Sequence, residues 1–327
     1  MIPTEMDAIV PTGTGGPDVL VMGKRPVPSP AAHEVLIEVA AAGVNGPDLV
    51  QRRGHYPPPK GASDLLGLEV SGKVVAVGGD VTNWKVGDDV CALTNGGGYA
   101  QYVAVDAGHC LSIPRGVDIT DAAGLPETFF TVWSNIFHGH EVPAGALLLV
   151  HGGAGGIGST AIQVGAAMGL RVFTTADSAE ACAWCESLGA ERAIDFREED
   201  FVEVVRETGG ADIILDIIAG DYVERNFKAA SHDARIIQLA FNKGSKMEIN
   251  LMPVMLKRLT YTGSTLRSRP DAFKSAIASE LEATVWPLIA DGKIRPVTHA
   301  VLPLTQAREA HEMMEAAQHR GKILLKV

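Results

Sequence analysis

The sequence predicts an α/β protein that combines a doubly wound parallel sheet with a second, mainly antiparallel β domain. Two observations predict this class. From residue 121 onward, short apolar runs alternate with helical segments, which is typical of parallel strands joined by crossover helices. The first third is rich in Val, Gly and Pro, and residues 34–40 and 72–77 have the composition of antiparallel strands. The 327 residues suffice for about two domains.

The parallel strands are predicted from apolar runs. Residues 146–150 (ALLLV) and 211–217 (ADIILDI) are continuous runs, as expected of strands buried on both faces. Further strands are predicted at 171–176, 193–196, 235–240 and 259–263, and helices at 121–138, 178–188, 200–207, 222–229 and 270–291. Two β segments with a short helix between them are expected to close the chain.

Composition narrows the class of function. The net charge of −11 disfavours nucleic-acid binding, which needs a basic surface. No apolar run reaches the roughly 18 residues of a membrane span, and the first ten residues read as a strand instead of a signal peptide. We therefore expect a cytoplasmic protein that binds neither nucleic acid nor membrane.

Four cysteines in a chain of this length do not indicate a disulfide framework. Cys182 and Cys185 form a CxxC pair on a predicted helix, one turn apart, and no second pair stands at metal-binding spacing. Two interpretations are open: redox activity, or packing of two small apolar side chains.

A glycine-rich motif follows the first buried strand and opens a helix. It fits GxGxxG and comprises Gly153, Ala154, Gly155, Gly156, Ile157 and Gly158. In such motifs the first glycine permits a tight turn, the second lets a pyrophosphate approach the backbone, and the third lets helix and strand pack closely. Free N–H groups at the helix start then bind the phosphates. The context predicts a nicotinamide dinucleotide, although a glycine-rich loop without a ligand is the alternative.

An acidic residue about 20 positions after the motif binds ribose hydroxyls in such folds. Asp177 stands there, after the second strand. Taken alone, Asp177 favours NAD over NADP.

These features and many short segments resemble the medium-chain dehydrogenase/reductase superfamily over essentially the whole chain. Within it, the sequence is most similar to the zinc-less quinone oxidoreductases, closest to the branch of the tumour-suppressor-induced quinone oxidoreductase and its bacterial relatives. The matching segments are 43–45 (GVN) with Asp48, 53–59 (RGHYPPP), 61–63 (GAS), 66–72 (LGLEVSG), 96–102 (GGGYAQY), 126–128 (PET), 263–267 (GSTLR), 310–311 (AH) and 321–323 (GKI).

The resemblance implies a Rossmann domain, residues 124–264, inserted in a GroES-like catalytic domain, residues 1–123 and 265–327. It also implies that no metal is bound. Zinc-dependent members use Cys, His and then Cys or Asp as ligands, whereas Asn45 and Leu68 replace the first two here and Glu127 falls near the third.

A zinc-free site suits some acceptors better than others. Reducing a ketone or aldehyde leaves a localised alkoxide that zinc normally stabilises. A quinone or enone instead yields a delocalised anion that needs only hydrogen-bond donors and a proton. The expected activity is therefore an NAD(P)H:quinone oxidoreductase, with two alternatives: an enoyl or enone double-bond reductase, or a cofactor-loaded binding protein without catalysis.

The resemblance also implies site residues in a cleft between the domains. Asn45 and Tyr56 match substrate-side polar positions that orient the acceptor oxygen, and Thr131 matches a position beside the nicotinamide. Their structural alternatives are a buried turn cap, a loop anchor and a helix-interior hydroxyl, respectively. Phe241, Asn242, Leu266 and Arg267 are expected to line the same cleft as cofactor contacts.

The sequence gives conflicting indications about which dinucleotide is the cofactor. The family branch uses NADPH, whose 2′-phosphate is held by a Gly-Ser pair, a Lys and a Tyr. Here Ser178 is retained, but Asp177 replaces the Gly and Phe196 replaces the Tyr. Arg197 could compensate as a new cation. NADPH is the expected cofactor with NADH as the alternative, and a homodimer is expected through the strand at 259–264.

Overall fold

The computed structural model describes residues 1–327, and its elements follow the alternation in the sequence. The strands are β1 (Glu5–Pro11), β2 (Leu20–Pro26), β3 (Glu34–Val44), β4 (Glu69–Val77), β5 (Asp89–Leu93), β6 (Tyr102–Asp106), β7 (Cys110–Ser112), β8 (Leu147–His151), β9 (Arg171–Ala176), β10 (Arg192–Asp195), β11 (Ala211–Asp216), β12 (Ala230–Gln238), β13 (Thr260–Gly263), β14 (Thr298–Pro303) and β15 (Lys322–Lys326). The helices are α1 (Gly46–Arg52), α2 (Ile119–Ala122), α3 (Pro126–Ile136), α4 (Gly156–Ala167), α5 (Ala179–Ser187), α6 (Phe201–Arg206), α7 (Tyr222–Ala229), α8 (Met252–Leu256), α9 (Asp271–Thr284), α10 (Trp286–Ala290) and α11 (Ala307–Glu315).

The chain divides into two compact units. The first comprises Met1–Phe130 and Arg267–Val327, and the second comprises Thr131–Leu266. The second unit is thus inserted in the sequence of the first. The division proposed from the sequence, after residue 123, lies seven residues before this one (130 against 123), close to the start of α3.

The first unit is built on a mainly antiparallel sheet in the order β14-β15-β3-β4-β5-β7, with β6 paired to β3. Its long central strand β3 contributes Val35, Ile37 and Val39 to an apolar core. Each such side chain contributes on the order of 2 kcal/mol by leaving water. The sheet also carries polar residues at the ends of β3, β4 and β15, where the candidate site lies.

The second unit is a parallel sheet in the order β10-β9-β8-β11-β12-β13. All five residues of β8 are buried, as the continuous apolar run predicts for a strand covered on both faces. The order reverses between β8 and β11, where the chain crosses from one half of the sheet to the other. This confirms the predicted α/β class with a doubly wound sheet.

Two predicted helices are interrupted. The segment 121–138 forms α2 and α3, separated before Pro126, and the segment 270–291 forms α9 and α10, separated at Val285. Pro126 and Pro287 lie in the first turn of the second helix of each pair. Proline lacks the N–H that a continuing helix requires, but it is tolerated in the first turn, so a new helix begins there. The single long helices predicted from the sequence were wrong for this reason.

The four cysteines are free thiols and all are buried. Burial raises the pKa of the Cys182 thiol, which disfavours the reactive thiolate. Cys185 lies on the face of α5 that packs toward Gly153. These positions agree with the packing interpretation of the CxxC pair. No helix combines the length and the apolar character needed to cross a bilayer.

Candidate active site

The glycine-rich loop connects β8 to α4 at the carboxyl end of the parallel sheet. Gly155 is the N-cap residue of α4, and the first N–H of the helix with a backbone partner is that of Ser159, which donates to the Gly155 carbonyl at 2.9 Å. The preceding N–H groups of the first turn therefore remain available to an anion.

The glycines of this loop have distinct reasons to lack a side chain. A Cβ on Gly158 would lie 2.2 Å from the Gly152 carbonyl oxygen, so the helix approaches the loop as expected. A Cβ on Gly155 would have only one neighbour, at 3.7 Å, which leaves open space above that backbone. The open cradle fits the pyrophosphate of a dinucleotide.

The tight turn belongs to a different residue from the one predicted. Gly152 has the left-handed backbone, with φ of +75°, whereas Gly153 does not. A Cβ on Gly153 would instead lie 2.3 Å from Thr174 Oγ1 and 2.9 Å from Cys185 Sγ. Gly153 is thus a close-packing position, and the role of turn glycine assigned to it from the sequence is corrected to Gly152.

A buried chain of polar side chains supports the loop from below. The Gly152 N–H points to Thr175 Oγ1 at 3.3 Å, and Thr175 Oγ1 lies 3.1 Å from His151 Nδ1. His151 Nε2 lies 2.7 Å from Asn226 Oδ1, and Asn226 Nδ2 donates to Asp216 at 2.9 Å. Because the Asn226 oxygen accepts, His151 carries its proton on Nε2, and burial lowers the pKa of its imidazole. Sequence reasoning did not find this chain.

Asp177 and Arg197 lie together after β9 and β10. Their charged groups are 3.6 Å apart, and both side chains are more than half exposed. Ser178 is the N-cap residue of α5 and accepts from the Ala181 N–H at 3.2 Å. Arg197 thus lies where its charge can balance that of Asp177, and its contact with a 2′-phosphate stays a prediction.

The other predicted cofactor contacts lie in different surroundings. Phe196 and Phe241 are exposed, at 42% and 52%, and Asn242 is also exposed, whereas Leu266 is buried. These residues stay predicted contacts. Thr131 is partly exposed in the middle of α3, and its hydroxyl makes no hydrogen bond to another residue of the chain, unlike the bonded hydroxyl of the structural alternative.

In the first unit, Asn45 is part of a buried ionic network. Its Nδ2 donates to Glu69 Oε1 at 2.9 Å, and its Oδ1 accepts from Lys322 Nζ at 2.5 Å. Its backbone N–H donates to Asp48, which completes the capping box of α1. The amide is therefore largely engaged within the protein. The turn-cap interpretation fits this geometry, and contact with a substrate stays a prediction.

Tyr56 is partly exposed and its ring lies against the guanidinium of Arg267, 5.3 Å from ring centroid to Cζ. Its hydroxyl has no hydrogen-bond partner in the chain. Burial, and after it the charge of Glu127, raise the pKa of Tyr56 above its usual value. Tyr56 thus offers a free O–H donor.

Arg267 is buried, and its guanidinium is held by protein acceptors. Its Nε and Nη2 donate to the Asn95 carbonyl, and its Nη1 donates to Gln51 Oε1 at 2.7 Å. The second acceptor of Asn95, Oδ1, receives a hydrogen bond from Lys274 Nζ at 2.9 Å. Arg267 is thereby fixed beneath Tyr56, and its role as a cofactor contact stays a prediction.

Glu127, whose charge acts on Tyr56, is a second polar residue of this unit. Its backbone N–H donates to Glu69 Oε2 at 2.8 Å, but its carboxyl oxygens have no hydrogen-bond partner in the chain. Burial and the charge of Glu69 raise the pKa of the Glu127 carboxyl to about 8. The sequence placed Glu127 near a lost metal position but assigned it no chemistry; an acid in the first turn of a helix was the available signal.

Asp48 joins this network to a buried histidine. It accepts from the Gly67 N–H at 3.0 Å and from the Tyr99 hydroxyl at 3.2 Å. The same hydroxyl lies 3.1 Å from His311 Nε2. Burial raises the pKa of Asp48 to about 6.

The chain is similar to known dehydrogenases and reductases over most of its length. The model of the alcohol dehydrogenase GroES-like domain matches residues 31–115, and that of the zinc-binding dehydrogenase matches residues 156–282. Human quinone oxidoreductase is 32% identical over 318 residues, which cover 95% of this chain and 94% of the relative.

Two solved structures extend the likeness to the fold. A mycobacterial protein complexed with NADPH has a TM-score of 0.87 and 28% identity, covering 98% of this chain and all of that one. The CurK enoyl reductase has a TM-score of 0.84 and 26% identity, covering 99% of each chain. Both family models and the identity to human quinone oxidoreductase lead to one assignment: the chain belongs to the medium-chain dehydrogenase/reductase superfamily, in the family of the quinone oxidoreductases.

Proposed function

We propose that this chain is a zinc-independent, NADPH-dependent quinone oxidoreductase. The observation that carries the proposal is the environment of Asn45. At the positions where zinc-dependent relatives place ligands, this chain has the amide of Asn45 and the aliphatic Leu68, and the Asn45 oxygen accepts from the ammonium of Lys322. An amide already bonded to a cation and an alkyl chain are poor zinc ligands.

The nicotinamide dinucleotide, when bound, supplies hydride to the acceptor. The N–H groups at the start of α4 would hold its pyrophosphate, and Arg197 would meet a 2′-phosphate. Asp177 lies within 3.6 Å of that cation and opposes the phosphate by its charge. We propose NADPH first, supported by the NADPH-bound relative, with NADH as the alternative.

The acceptor oxygen would be met by the free O–H of Tyr56. Arg267, fixed by Asn95, holds the Tyr56 ring from one side and adds positive charge beneath it. The two groups together stabilise the negative charge that develops on a quinone oxygen. Asn45 would act at a distance, by fixing Lys322 and Glu69, more than as a direct donor.

A second candidate is the reduction of enoyl double bonds. The likeness to the CurK enoyl reductase favours it, and a conjugated enone would need the same kind of oxyanion stabilisation. A carrier-bound thioester would also need a basic rim, which a chain of net charge −11 does not offer in its composition. We therefore rank quinones first.

We also propose that the protein is a homodimer. β13 is the last strand of the parallel sheet, so one of its edges is unpaired within the chain. Four apolar residues just before it are 59–71% exposed, and these are Leu251, Met252, Met255 and Leu256. An open strand edge next to such a patch suits a two-fold interface.

Sedimentation tests this interface. It should give a dimer for the wild type and a monomer for the double variant Met255→Glu, Leu256→Glu. The control Val86→Glu, at a residue of similar exposure elsewhere on the surface, should stay a dimer. An unchanged dimer in the double variant would exclude this interface.

The central experiment titrates NADPH and NADH separately against the purified protein. Their oxidation is followed by absorbance with one ortho-quinone, one para-quinone and one enone thioester. We expect oxidation with the quinones and a lower KM for NADPH. Tight cofactor binding without oxidation by any acceptor would make the protein a binding protein, and oxidation with the thioester alone would make it an enoyl reductase.

The variant Tyr56→Phe tests the donor. Loss of one hydrogen bond, about 0.5–1.5 kcal/mol, should lower kcat/KM for quinone roughly two- to tenfold. Tyr102→Phe is the matched control, because its hydroxyl bonds to the exposed Glu38. Equal activity of both variants would remove Tyr56 from the proposal.

A further inference from the structure

A cavity of about 500 Å³ lies at the surface of the first unit. It is formed by residues 14–17 after β1, by the end of α1 with the residues that follow it, and by the end of α11. None of the residues assigned above to the acceptor, to the cofactor or to the lost zinc position lines it. A cavity of this volume is in the range that holds small organic ligands.

The lining of the cavity is positively charged, although the chain is acidic. Its charged side chains are those of Arg52, Arg53 and Glu315, so two positive charges stand against one negative charge when His55 is counted as neutral. The whole chain has a net charge of −11. Because a cleft lined by charge of one sign focuses the electric field, this cavity attracts small anions that the rest of the surface repels.

The two guanidinium groups converge on a single carboxylate oxygen. Nη2 of Arg52 and Nη2 of Arg53 both donate to Oε1 of Glu315, the latter at 2.6 Å. The other carboxylate oxygen, Oε2, has no hydrogen-bond partner in the chain. A phosphate group has three acceptor oxygens and could give each guanidinium an oxygen of its own. Arginine is also well suited to phosphate, because its planar fork can bind two oxygens at once.

One of these arginines is fixed and the other is open to solvent. Arg52 is buried, its Nε donates to the Gly15 carbonyl at 3.1 Å, and its Nη1 lies 3.1 Å from His311 Nδ1. Arg53 is about half exposed and bonds only to Glu315, so its Nε and Nη1 donors are free. A cation that is already fixed loses little conformational entropy when a ligand binds, and the open one can adjust to the ligand.

Two further polar groups of the lining are free to bind an anion. The hydroxyl of Thr14 and the imidazole of His55 are exposed, and neither makes a hydrogen bond to another residue of the chain. Both can donate to a phosphate oxygen. Pro17 adds an apolar wall against which an organic substituent could pack. The cavity thus combines cations, neutral donors and room for more than a bare anion.

We propose that this cavity binds a small-molecule phosphate, whose dianionic group takes the place of the Glu315 carboxylate between Arg52 and Arg53. Glu315 is then an internal anion that competes with the ligand. Its side chain is partly exposed at the last residue of α11, so the carboxylate can leave the arginines without uncovering the apolar core. The site is distinct from the glycine-rich cradle, which belongs to the second unit, and it does not depend on the proposed function.

The first test measures binding to the full chain by isothermal titration calorimetry. The probes are inorganic phosphate and glycerol 3-phosphate, at constant ionic strength. Arg53→Gln should weaken binding about tenfold or more, because a hydrogen bond between charged groups contributes about that much. Arg308→Gln is the matched control and should bind like the wild type, because Arg308 is similarly exposed and paired with Glu312 on α11 but does not line the cavity.

The results of this titration divide clearly. Tighter binding of inorganic phosphate would support the site with the free anion as its ligand, and tighter binding of the ester would support it with an organic phosphate. A signal from the glycine-rich cradle would be the same in the wild type and in Arg53→Gln. Equal binding by these two proteins would therefore overturn the proposal, as would equal losses in Arg53→Gln and Arg308→Gln. The absence of saturable binding up to about 10 mM, ten times a millimolar Kd, would also overturn it.

The second test predicts a gain of affinity. Glu315→Gln removes the competing carboxylate, so it should tighten phosphate binding on the order of tenfold. Without phosphate, its thermal unfolding midpoint should fall, because the buried Arg52 loses its counter-ion. Phosphate should then raise this midpoint more than that of the wild type. A lower midpoint that phosphate does not restore would give Glu315 a structural role alone, and phosphate affinity that is unchanged or weaker in Glu315→Gln would contradict the proposal.

Discussion

Lys322 and Glu69 form a buried ion pair with 2.6 Å between Nζ and Oε1. The two residues lie on β15 and β4 of one sheet. Glu69 Oε1 also accepts from Asn45, and Glu69 Oε2 accepts from the Glu127 N–H, so both carboxylate oxygens are bonded. A buried charge is tolerated when it is paired and hydrogen-bonded in this way.

Removing one partner of this ion pair should lower the free energy of unfolding. In Lys322→Met, Glu69 would be a buried carboxylate without its counter-ion, and we expect a loss of about 3–5 kcal/mol in the free energy of unfolding. The double variant Lys322→Met, Glu69→Gln should recover much of it. Lys24→Met, which breaks an exposed pair with Asp7, should cost within about 1 kcal/mol. Urea unfolding measures all three, and equal losses for Lys322→Met and Lys24→Met would contradict this account.

His311 should make the fold sensitive to acid. Arg52 donates to its Nδ1 and the Tyr99 hydroxyl accepts from its Nε2, so only the neutral imidazole satisfies both contacts. Burial and Arg52 lower the pKa of His311 from 6.5 to about 3. The folded protein binds a proton at His311 less readily than the unfolded chain does. The free energy of unfolding therefore decreases as the pH falls from 6.5 toward 3. Because a tenfold change in proton affinity corresponds to about 1.4 kcal/mol, the loss should reach several kcal/mol.

The measurement compares urea unfolding of the wild type and His311→Gln at a series of pH values from 7 to 4. Asp48 works in the opposite direction, because its pKa is raised to about 6 and its protonation favours the fold. It is present in both proteins, so the difference between them isolates His311. Parallel curves would show that His311 does not titrate as expected.

Two substitutions in the glycine-rich loop should have different effects, one on the stability of the fold and the other on cofactor binding. Gly158→Ala places a Cβ 2.2 Å from the Gly152 oxygen, and such overpacking should cost about 1–3 kcal/mol of stability. Gly155→Ala meets nothing closer than 3.7 Å, so the fold should tolerate it, but the methyl group would occupy the approach of the pyrophosphate. Thermal unfolding and NADPH fluorescence titration measure the two effects, with Gly79→Ala as the control in open space. A Gly155→Ala variant that binds NADPH as tightly as the wild type would contradict the placement of the phosphate.

Asp177 should set the balance between the two cofactors. Asp177→Gly removes the negative charge 3.6 Å from Arg197, leaving that cation free for a 2′-phosphate. We expect the preference for NADPH over NADH to rise on the order of tenfold, about 1.4 kcal/mol, and to weaken with added salt. Arg197→Ala should change it in the opposite direction. The ratio of the two Kd values measures this, and a ratio unchanged in both variants would place the 2′-phosphate elsewhere.

Local pattern accounts for much of the parallel sheet. The bounds predicted for β9 and α7 match the structure, because buried runs and amphipathic spacing are properties of neighbouring residues. The prolines at which the two predicted long helices are interrupted, Pro126 and Pro287, are also local signals in the sequence. The class and the family were therefore accessible from the sequence alone.

The buried ionic network could not be predicted from local sequence patterns. Lys322 is far from Asn45 and Glu69 in sequence, and His311 is also more than 200 residues from Arg52 and from Tyr99. Their contacts depend on the register of β15 beside β3 and on the packing of α11, which no short window encodes. The sequence could therefore name Asn45 as a site residue but not show that its amide is already bonded.

The hydrogen-bonded side chains beneath the glycine-rich loop affect the rate of cofactor binding as well as the structure. They connect Gly152 through Thr175, His151 and Asn226 to Asp216. A turn already tied to three strands and a helix has little conformational entropy left to lose when a phosphate arrives. Association should then be limited by encounter and orientation, without a slow loop-ordering phase, and the affinity for different dinucleotides should differ through their dissociation rates.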